Sequence, residues 1–188
     1  MSVVVHEVSH GFVANILGDS TARRAGRLTL NPLKHLDPVG SFFVPALLSL
    51  IGAPIFGWAR PVPYNPYNLR DPKWGEAKVA AAGPLSNLFL VLLFGMIIRF
   101  GSFSTVSATF DILSLIVFIN LVLALFNLVP IPPLDGSKIL FSVLPYHLRS
   151  VQEFVERYWL IFIVIFVFFL GDIISPVVSI LFRLITGV

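Results

Sequence analysis

Residues 3–17, VVVHEVSHGFVANIL, place two histidines and a glutamate inside an apolar run. On a helix, His6 and His10 lie four residues apart and share one face, so both imidazoles can reach a single metal ion. Glu7 projects beside them and can act as a general base towards a water that the metal activates. The alternative is a pair of surface histidines on an ordinary helix, but ionisable groups within an apolar membrane segment are costly and mark function. The stretch therefore predicts a metal site in a membrane-embedded helix.

The composition of the whole chain agrees with a membrane location. Of its 188 residues, 56% are hydrophobic and only 12% are charged, whereas soluble domains carry roughly 25% charged residues. The chain has no cysteine, which excludes disulfides and thiolate metal ligands. The net charge of +3 is small and the basic residues form no stripe, so nucleic acid is not an expected partner.

Five apolar segments predict an all-α polytopic membrane protein, with residues 1–188 forming a single membrane-embedded domain. They are residues 3–17, 41–57, 79–100, 112–129 and 159–185. The third and fourth are long enough to span about 30 Å of hydrocarbon as helices. The last is interrupted by Gly171 and Pro176, which predicts a kinked span or a span followed by a shorter piece. The second is short and contains Pro45 and Pro54, so we expect it to be re-entrant.

The polar connections carry weaker structural signals. Residues 26–32 alternate polar and apolar side chains before a turn, which predicts a strand and hence a small β-hairpin or extended segments in the loops. In the connection from residue 58 to 78, Pro61, Pro63 and Pro66 favour extended backbone over helix.

The distribution of basic residues indicates the topology. If residues 41–57 return to the side from which they entered, all 13 lysines and arginines except Arg99 and Arg183 share one side. If this segment crosses fully, they divide almost evenly. The positive-inside rule favours the re-entrant topology with the basic side in the cytoplasm.

A catalytic zinc ion usually has three protein ligands, so two histidines leave one place open. His35 and His147 lie in polar connections and are interpreted as solvated or interfacial residues. Asp135 is favoured instead, because it ends residues 129–135, VPIPPLD, directly after an apolar span. A turn at the membrane surface is the alternative for this stretch. Under the topology above, the end of the first helix and Asp135 lie on the basic side, so His6, His10 and Asp135 can meet at one depth.

Three sequence elements together resemble the site-2 protease family of intramembrane metalloproteases. They are HEVSH at residues 6–10, AGPLSN at residues 82–87, and NLVPIPPLDG at residues 127–136, in the order that the family has them. The resemblance implies that His6, His10 and Asp135 bind one zinc ion per chain. It also implies that Glu7 is the catalytic acid and base, and that Asn87 helps to hold the substrate backbone near the metal. Interhelical hydrogen bonding is the alternative role for Asn87.

The resemblance further implies a lipid bilayer environment and a transmembrane protein substrate, cleaved within or near its membrane segment. An active site towards the cytoplasm follows from the charge distribution. Residues 60–69 are expected to offer an extended edge on which the substrate lies as a strand. Only five residues precede His6, so we expect an N-terminal extension to be missing from what is otherwise a minimal, core-only member.

Two other functions use the same residues. A metal-ion transporter needs ligands spaced along a path, often on repeated halves, and the sequence contains no repeat. An inactive membrane scaffold need not keep a costly buried set, yet His6, Glu7, His10 and Asp135 are all present. Both observations favour the protease.

Overall fold

The computed structural model describes residues 1–52, 57 and 59–188, and helices account for its regular secondary structure. Its α-helices are α1 (Ser2–Ile16), α2 (Thr21–Arg24), α3 (Val44–Leu50), α4 (Gly75–Phe100), α5 (Ala108–Asn127), α6 (Asp135–Val143), α7 (Arg149–Arg157) and α8 (Trp159–Thr186). Short 3-10 turns span Pro32–His35, Pro66–Asn68 and Tyr146–Leu148, and a π-helical turn spans Pro38–Phe43. The predicted all-α class is confirmed.

Among the described residues, two helices, α4 and α5, are long and apolar enough to cross a membrane, and α8 makes a third if its two parts form one span. Those parts, Trp159–Phe169 and Gly171–Thr186, meet at a 60° bend, which agrees with the predicted interruption. The expected count of five membrane segments is wrong for the described residues. With 15 residues, α1 rises only about 22 Å, and the apolar helix Pro38–Leu50 is shorter still.

The helix α4 is the centre of the bundle and packs against α1, α5, α6 and α8. The C-terminal half of α4 packs with α5 and α8 in a buried apolar cluster: Val91, Ile98, Val117, Leu121, Phe166, Ile174 and Val178. The N-terminal half of α4 faces α1 and α6. The single helix α4 therefore connects the apolar core of the bundle to the elements that carry the predicted metal ligands.

The segment predicted to be re-entrant begins and ends at one place. It runs through the π-helical turn and α3 to a turn at Gly52, whose φ of +68° suits glycine. A Cβ atom added to Gly57 would collide with the carbonyl oxygen of Gly40, so the two ends of the segment touch. A 17-residue helix would hold its ends about 25 Å apart. Ends that lie side by side are what a re-entrant segment requires, and the re-entrant topology itself stays a prediction. Pro54 lies outside the described residues.

The predicted β-hairpin is wrong, because residues 1–52, 57 and 59–188 contain no β-strand. Residues 26–31 are irregular and lead into the 3-10 turn at Pro32. Among the described residues, the next connection reaches this region with one backbone hydrogen bond, which Arg60 N–H donates to the carbonyl oxygen of His35 in that turn. No ladder follows, since Pro61 and Pro63 have no N–H group.

Candidate metal site

Two buried histidines on α1 face α4 and use the same ring nitrogen for orientation. His10 Nδ1 lies 2.7 Å from the carbonyl oxygen of Val79, and His6 Nδ1 lies 2.6 Å from Asn87 Oδ1. Both partners are oxygen atoms that only accept hydrogen bonds, so each Nδ1 carries the proton and donates it. In a neutral imidazole this leaves Nε2 with a bare lone pair, as a metal ligand requires.

A short loop after α5 brings Asp135 to these histidines. Asp135 lies in the first turn of α6, and its Oδ2 is 3.1 Å from His6 Nε2 and 3.2 Å from His10 Nε2. The next residue packs tightly: a Cβ atom on Gly136 would collide with the carbonyl oxygen of Leu128. One atom from each of the three side chains lies within 4.8 Å of the others. The structure thus brings together the three residues that the sequence nominated.

The donor set fits a zinc ion. A tetrahedral ion with bonds of about 2.0–2.1 Å separates neighbouring ligand atoms by roughly 3.3–3.5 Å, close to the two distances from Asp135 Oδ2. The Asp135 carboxylate is ionised at neutral pH and faces the Nε2 lone pairs of both imidazoles. The carboxylate oxygen and these lone pairs repel one another unless a proton or a cation lies between them.

A glycine on α4 makes room for both rings. A Cβ atom on Gly83 would lie 2.5 Å from His10 Nε2 and 2.5 Å from His6 Cε1, well inside van der Waals contact. Val79, Gly83 and Asn87 are spaced by four residues and therefore share one face of α4. This spacing gives a physical reason for the AGPLSN element. On one face of α4, Val79 accepts a hydrogen bond from His10, Gly83 leaves space for both rings, and Asn87 accepts a hydrogen bond from His6.

Glu7 borders the same cavity as the three ligands. The cavity measures about 170 Å³, and its wall includes Glu7, Tyr64 and Lys138. Glu7 is half-buried, and its Oε2 accepts a hydrogen bond of 2.8 Å from Val62 N–H. At about 30 Å³ per molecule, the cavity has room for roughly five waters. The predicted acid and base therefore borders a cavity that can hold water beside the three proposed ligands.

The remaining histidines lie outside this cluster. His35 is 1% exposed, and its Nε2 is 2.8 Å from the Thr29 carbonyl oxygen. Its interpretation as a solvated residue is wrong, because the 3-10 turn folds it beneath the loop. His147 is exposed, as expected.

Asn87 lies at the site, but not on its surface. It is 0% exposed and contacts His6, Asn120 and Ser2. Its expected contact with the substrate remains a prediction. The sequence analysis missed Asn120, whose signal was a single amide inside the apolar run 112–129.

These features define a membrane protein in which a buried His-Glu-x-x-His motif and an aspartate form a cluster that could hold a metal ion. Residues 97–170, which include Asp135, match the model of Peptidase family M50. The chain is 40% identical over 180 residues to "Putative zinc metalloprotease YwhC" of Bacillus subtilis, covering 92% of this chain and 79% of that protein.

Two further relatives carry the name "Putative zinc metalloprotease Rip2". The protein of Mycolicibacterium smegmatis is 35% identical over 142 residues, which cover 72% of this chain and 51% of that protein. The protein of Mycobacterium tuberculosis is 29% identical over 154 residues, which cover 81% and 56%. This chain thus spans about half the length of the Rip2 proteins. No solved structure matches it significantly.

The chain belongs to peptidase family M50. The resemblance to site-2 proteases and the predicted class, a zinc metallopeptidase, are confirmed by these matches together with the three-ligand cluster.

Proposed function

We propose that residues 1–188 form a single membrane-embedded core that cleaves a transmembrane protein within or near its membrane segment. The observation that carries this proposal is the buried cluster of His6, His10 and Asp135, with Glu7 on the wall of the same cavity. An isolated set of ionisable side chains among apolar helices is costly to maintain without a function.

The proposed zinc ligands are His6 Nε2, His10 Nε2 and one carboxylate oxygen of Asp135. When bound, zinc polarises the scissile carbonyl and lowers the pKa of a water molecule to about 7. The Val79 carbonyl and Asn87 Oδ1 hold the imidazoles with Nε2 directed at Asp135. The protein's own contribution is therefore a fixed orientation of both rings.

Glu7 is the proposed acid and base. Its carboxylate takes a proton from the attacking water and later delivers a proton to the leaving nitrogen. The hydrogen bond from Val62 N–H fixes one carboxylate oxygen and so orients the other. Asn87 retains the role that the resemblance implies, contact with the substrate backbone, as a prediction.

We also propose that the site opens towards the cytoplasm. A second groove of about 640 Å³ shares Pro133 and Lys138 with the catalytic cavity, and Lys73 and Glu76 line it as well. This groove supports a path for water from the basic side of the protein. The substrate helix must unwind before cleavage, because its carbonyl groups are otherwise held in helical hydrogen bonds.

The proposal is tested with Glu7→Gln and Asp135→Ala in proteoliposomes that contain a single-span reporter substrate. We expect the wild type to hold one zinc ion and cleave, Glu7→Gln to hold zinc but cleave at least about 100-fold more slowly, and Asp135→Ala to lose zinc. Cleavage at the wild-type rate by Glu7→Gln would remove Glu7 from the mechanism. Equal zinc flux through wild-type and Glu7→Gln vesicles, without proteolysis, would support a transporter instead.

A further inference from the structure

A chain of buried amides leads from α5 to the imidazole of His6. Asn87 on α4 and Asn120 on α5 are both 0% exposed. Asn87 Nδ2 donates to Asn120 Oδ1 over 2.8 Å, and Asn87 Oδ1 faces His6 Nδ1 at 2.6 Å. Two amides in the middle of apolar helices therefore meet next to a proposed metal ligand.

The orientation of each amide is determined by its neighbour. Asn120 Nδ2 donates 2.8 Å to the Ile116 carbonyl oxygen and 2.9 Å to Ser2 Oγ. A carbonyl oxygen cannot donate, so the NH₂ group of Asn120 must face Ile116 and its oxygen must face Asn87. That oxygen in turn requires the NH₂ group of Asn87, which leaves Asn87 Oδ1 for His6.

Asn87, the amide next to the imidazole, fixes the tautomer of His6. Because Asn87 Oδ1 can only accept, His6 Nδ1 must carry the proton, and the lone pair of Nε2 is presented to Asp135. If Asn87 turned over, its NH₂ group would face Nδ1 and favour the opposite tautomer, with the proton on Nε2. That tautomer cannot bind a metal through Nε2.

We infer that Asn87 and Asn120 are positioning residues that act in series, with Asn120 orienting Asn87 and Asn87 selecting the metal-binding tautomer of His6. The inference rests on the proposed zinc site and deepens it. It differs from a substrate contact by Asn87, since a positioning residue affects metal binding when no substrate is present. The burial of Asn87 and its contacts with the buried His6 and Asn120 favour the positioning role.

The test measures zinc release from the purified protein to a chromogenic chelator, without substrate. Asn87→Leu should weaken zinc binding about 10- to 100-fold, as removal of a partner of a metal-bound histidine typically does. Asn120→Leu should weaken it less, because Asn87 still has the Ser2 carbonyl oxygen as an acceptor at 3.4 Å. Ser86→Ala is the matched control: it removes the neighbouring hydrogen bond to Gly83 on the same helix and should leave zinc affinity unchanged.

The double variant separates action in series from independent packing effects. If Asn120 acts only through Asn87, Asn120→Leu should have no further effect in the Asn87→Leu background. Additive losses would overturn the inference. So would wild-type zinc affinity in Asn87→Leu, and a raised KM with unchanged kcat would then assign Asn87 to the substrate.

Two controls distinguish failure of this inference from failure of the proposed function. The ¹⁵N shifts of His6 in the zinc-free Asn87→Leu variant report the tautomer directly, and a wild-type tautomer there would also contradict the inference. If the wild type itself binds no zinc, the proposed function fails. If the wild type binds zinc and Asn87→Leu binds it equally well, the inference alone fails.

Discussion

Substitution of Gly83 by alanine should damage the metal site while leaving the bundle folded. The added Cβ atom would lie 2.5 Å from both His10 Nε2 and His6 Cε1, whereas ordinary contact begins at 3.4 Å. The overlapping atoms belong to side chains on α1, which can withdraw from α4 without moving its backbone. The cost of Gly83→Ala therefore falls on the positions of the two imidazoles.

The magnitude follows from the tolerance of a zinc site. The rings must move by 3.4 minus 2.5 Å, or 0.9 Å, and metal–ligand distances tolerate only about 0.2 Å. A misplacement of about 1 Å at a reacting centre costs on the order of 100-fold. We expect zinc affinity and cleavage to fall by about this factor, equivalent to about 2.8 kcal/mol at 1.4 kcal/mol per tenfold.

Gly95→Ala is the control on the same helix. A Cβ atom there would collide with Ile185 on α8, far from the site, so it produces a similar overlap without touching a ligand. Zinc affinity is measured by chelator competition and folding by thermal unfolding in detergent. Equal zinc affinities in the two variants, whether both wild-type or both reduced, would refute the argument that Gly83 provides space for the imidazoles.

Two further substitutions test the elements around the site. Gly136→Ala places a Cβ atom against the Leu128 carbonyl oxygen, and because this neighbour is backbone the α5–α6 loop must shift. We expect a lower unfolding temperature and weaker zinc binding, and an unchanged unfolding temperature would contradict this packing. Asp19 is 0% exposed and accepts hydrogen bonds from Asn65 N–H and Asn68 Nδ2, so Asp19→Ala should lower the free energy of unfolding by about 2–3 kcal/mol. Burial alone would raise the pKa of Asp19. The hydrogen bonds that Asp19 accepts, of which the one from Asn68 has the largest effect, lower the pKa below its usual value. The stability that ionised Asp19 contributes is therefore present above about pH 4 and lost as the pH falls further. The unfolding midpoints of wild type and Asp19→Ala should converge on acidification, and midpoints that stayed apart would contradict this assignment.

The meeting of His6, His10 and Asp135 could be predicted because the signals for it are local or topological. His6 and His10 lie one helical turn apart, so their common face follows from helix geometry alone. Asp135 follows an apolar span, and the distribution of charge put the end of that span on the same side as α1. The number of spans was harder to predict, since composition marks α1 as apolar while its 15 residues are too few to cross about 30 Å.

The contacts around the ligands could not be predicted, because they depend on non-local packing. Nothing in the run 112–129 indicates that Asn120 meets Asn87 instead of a lipid-facing partner. The burial of His35 has the same origin, since its polar sequence neighbours suggest exposure while the 3-10 turn directs the ring to the Thr29 carbonyl oxygen. The roles of Gly83 and Asn87 on α4 likewise depend on the packing of α1 against that face, which the sequence does not show.

The segment expected to receive a substrate strand shows a conflict that only the structure reveals. An added strand needs backbone N–H donors as well as acceptors along the edge. Arg60 N–H already donates to the His35 carbonyl, and Val62 N–H donates to Glu7. Pro61 and Pro63 have no N–H at all. Residues 60–63 can therefore offer a substrate only acceptors unless Val62 N–H leaves Glu7. Strand addition at this position and the orientation of the Glu7 carboxylate compete for the same hydrogen bond, the one that Val62 N–H donates.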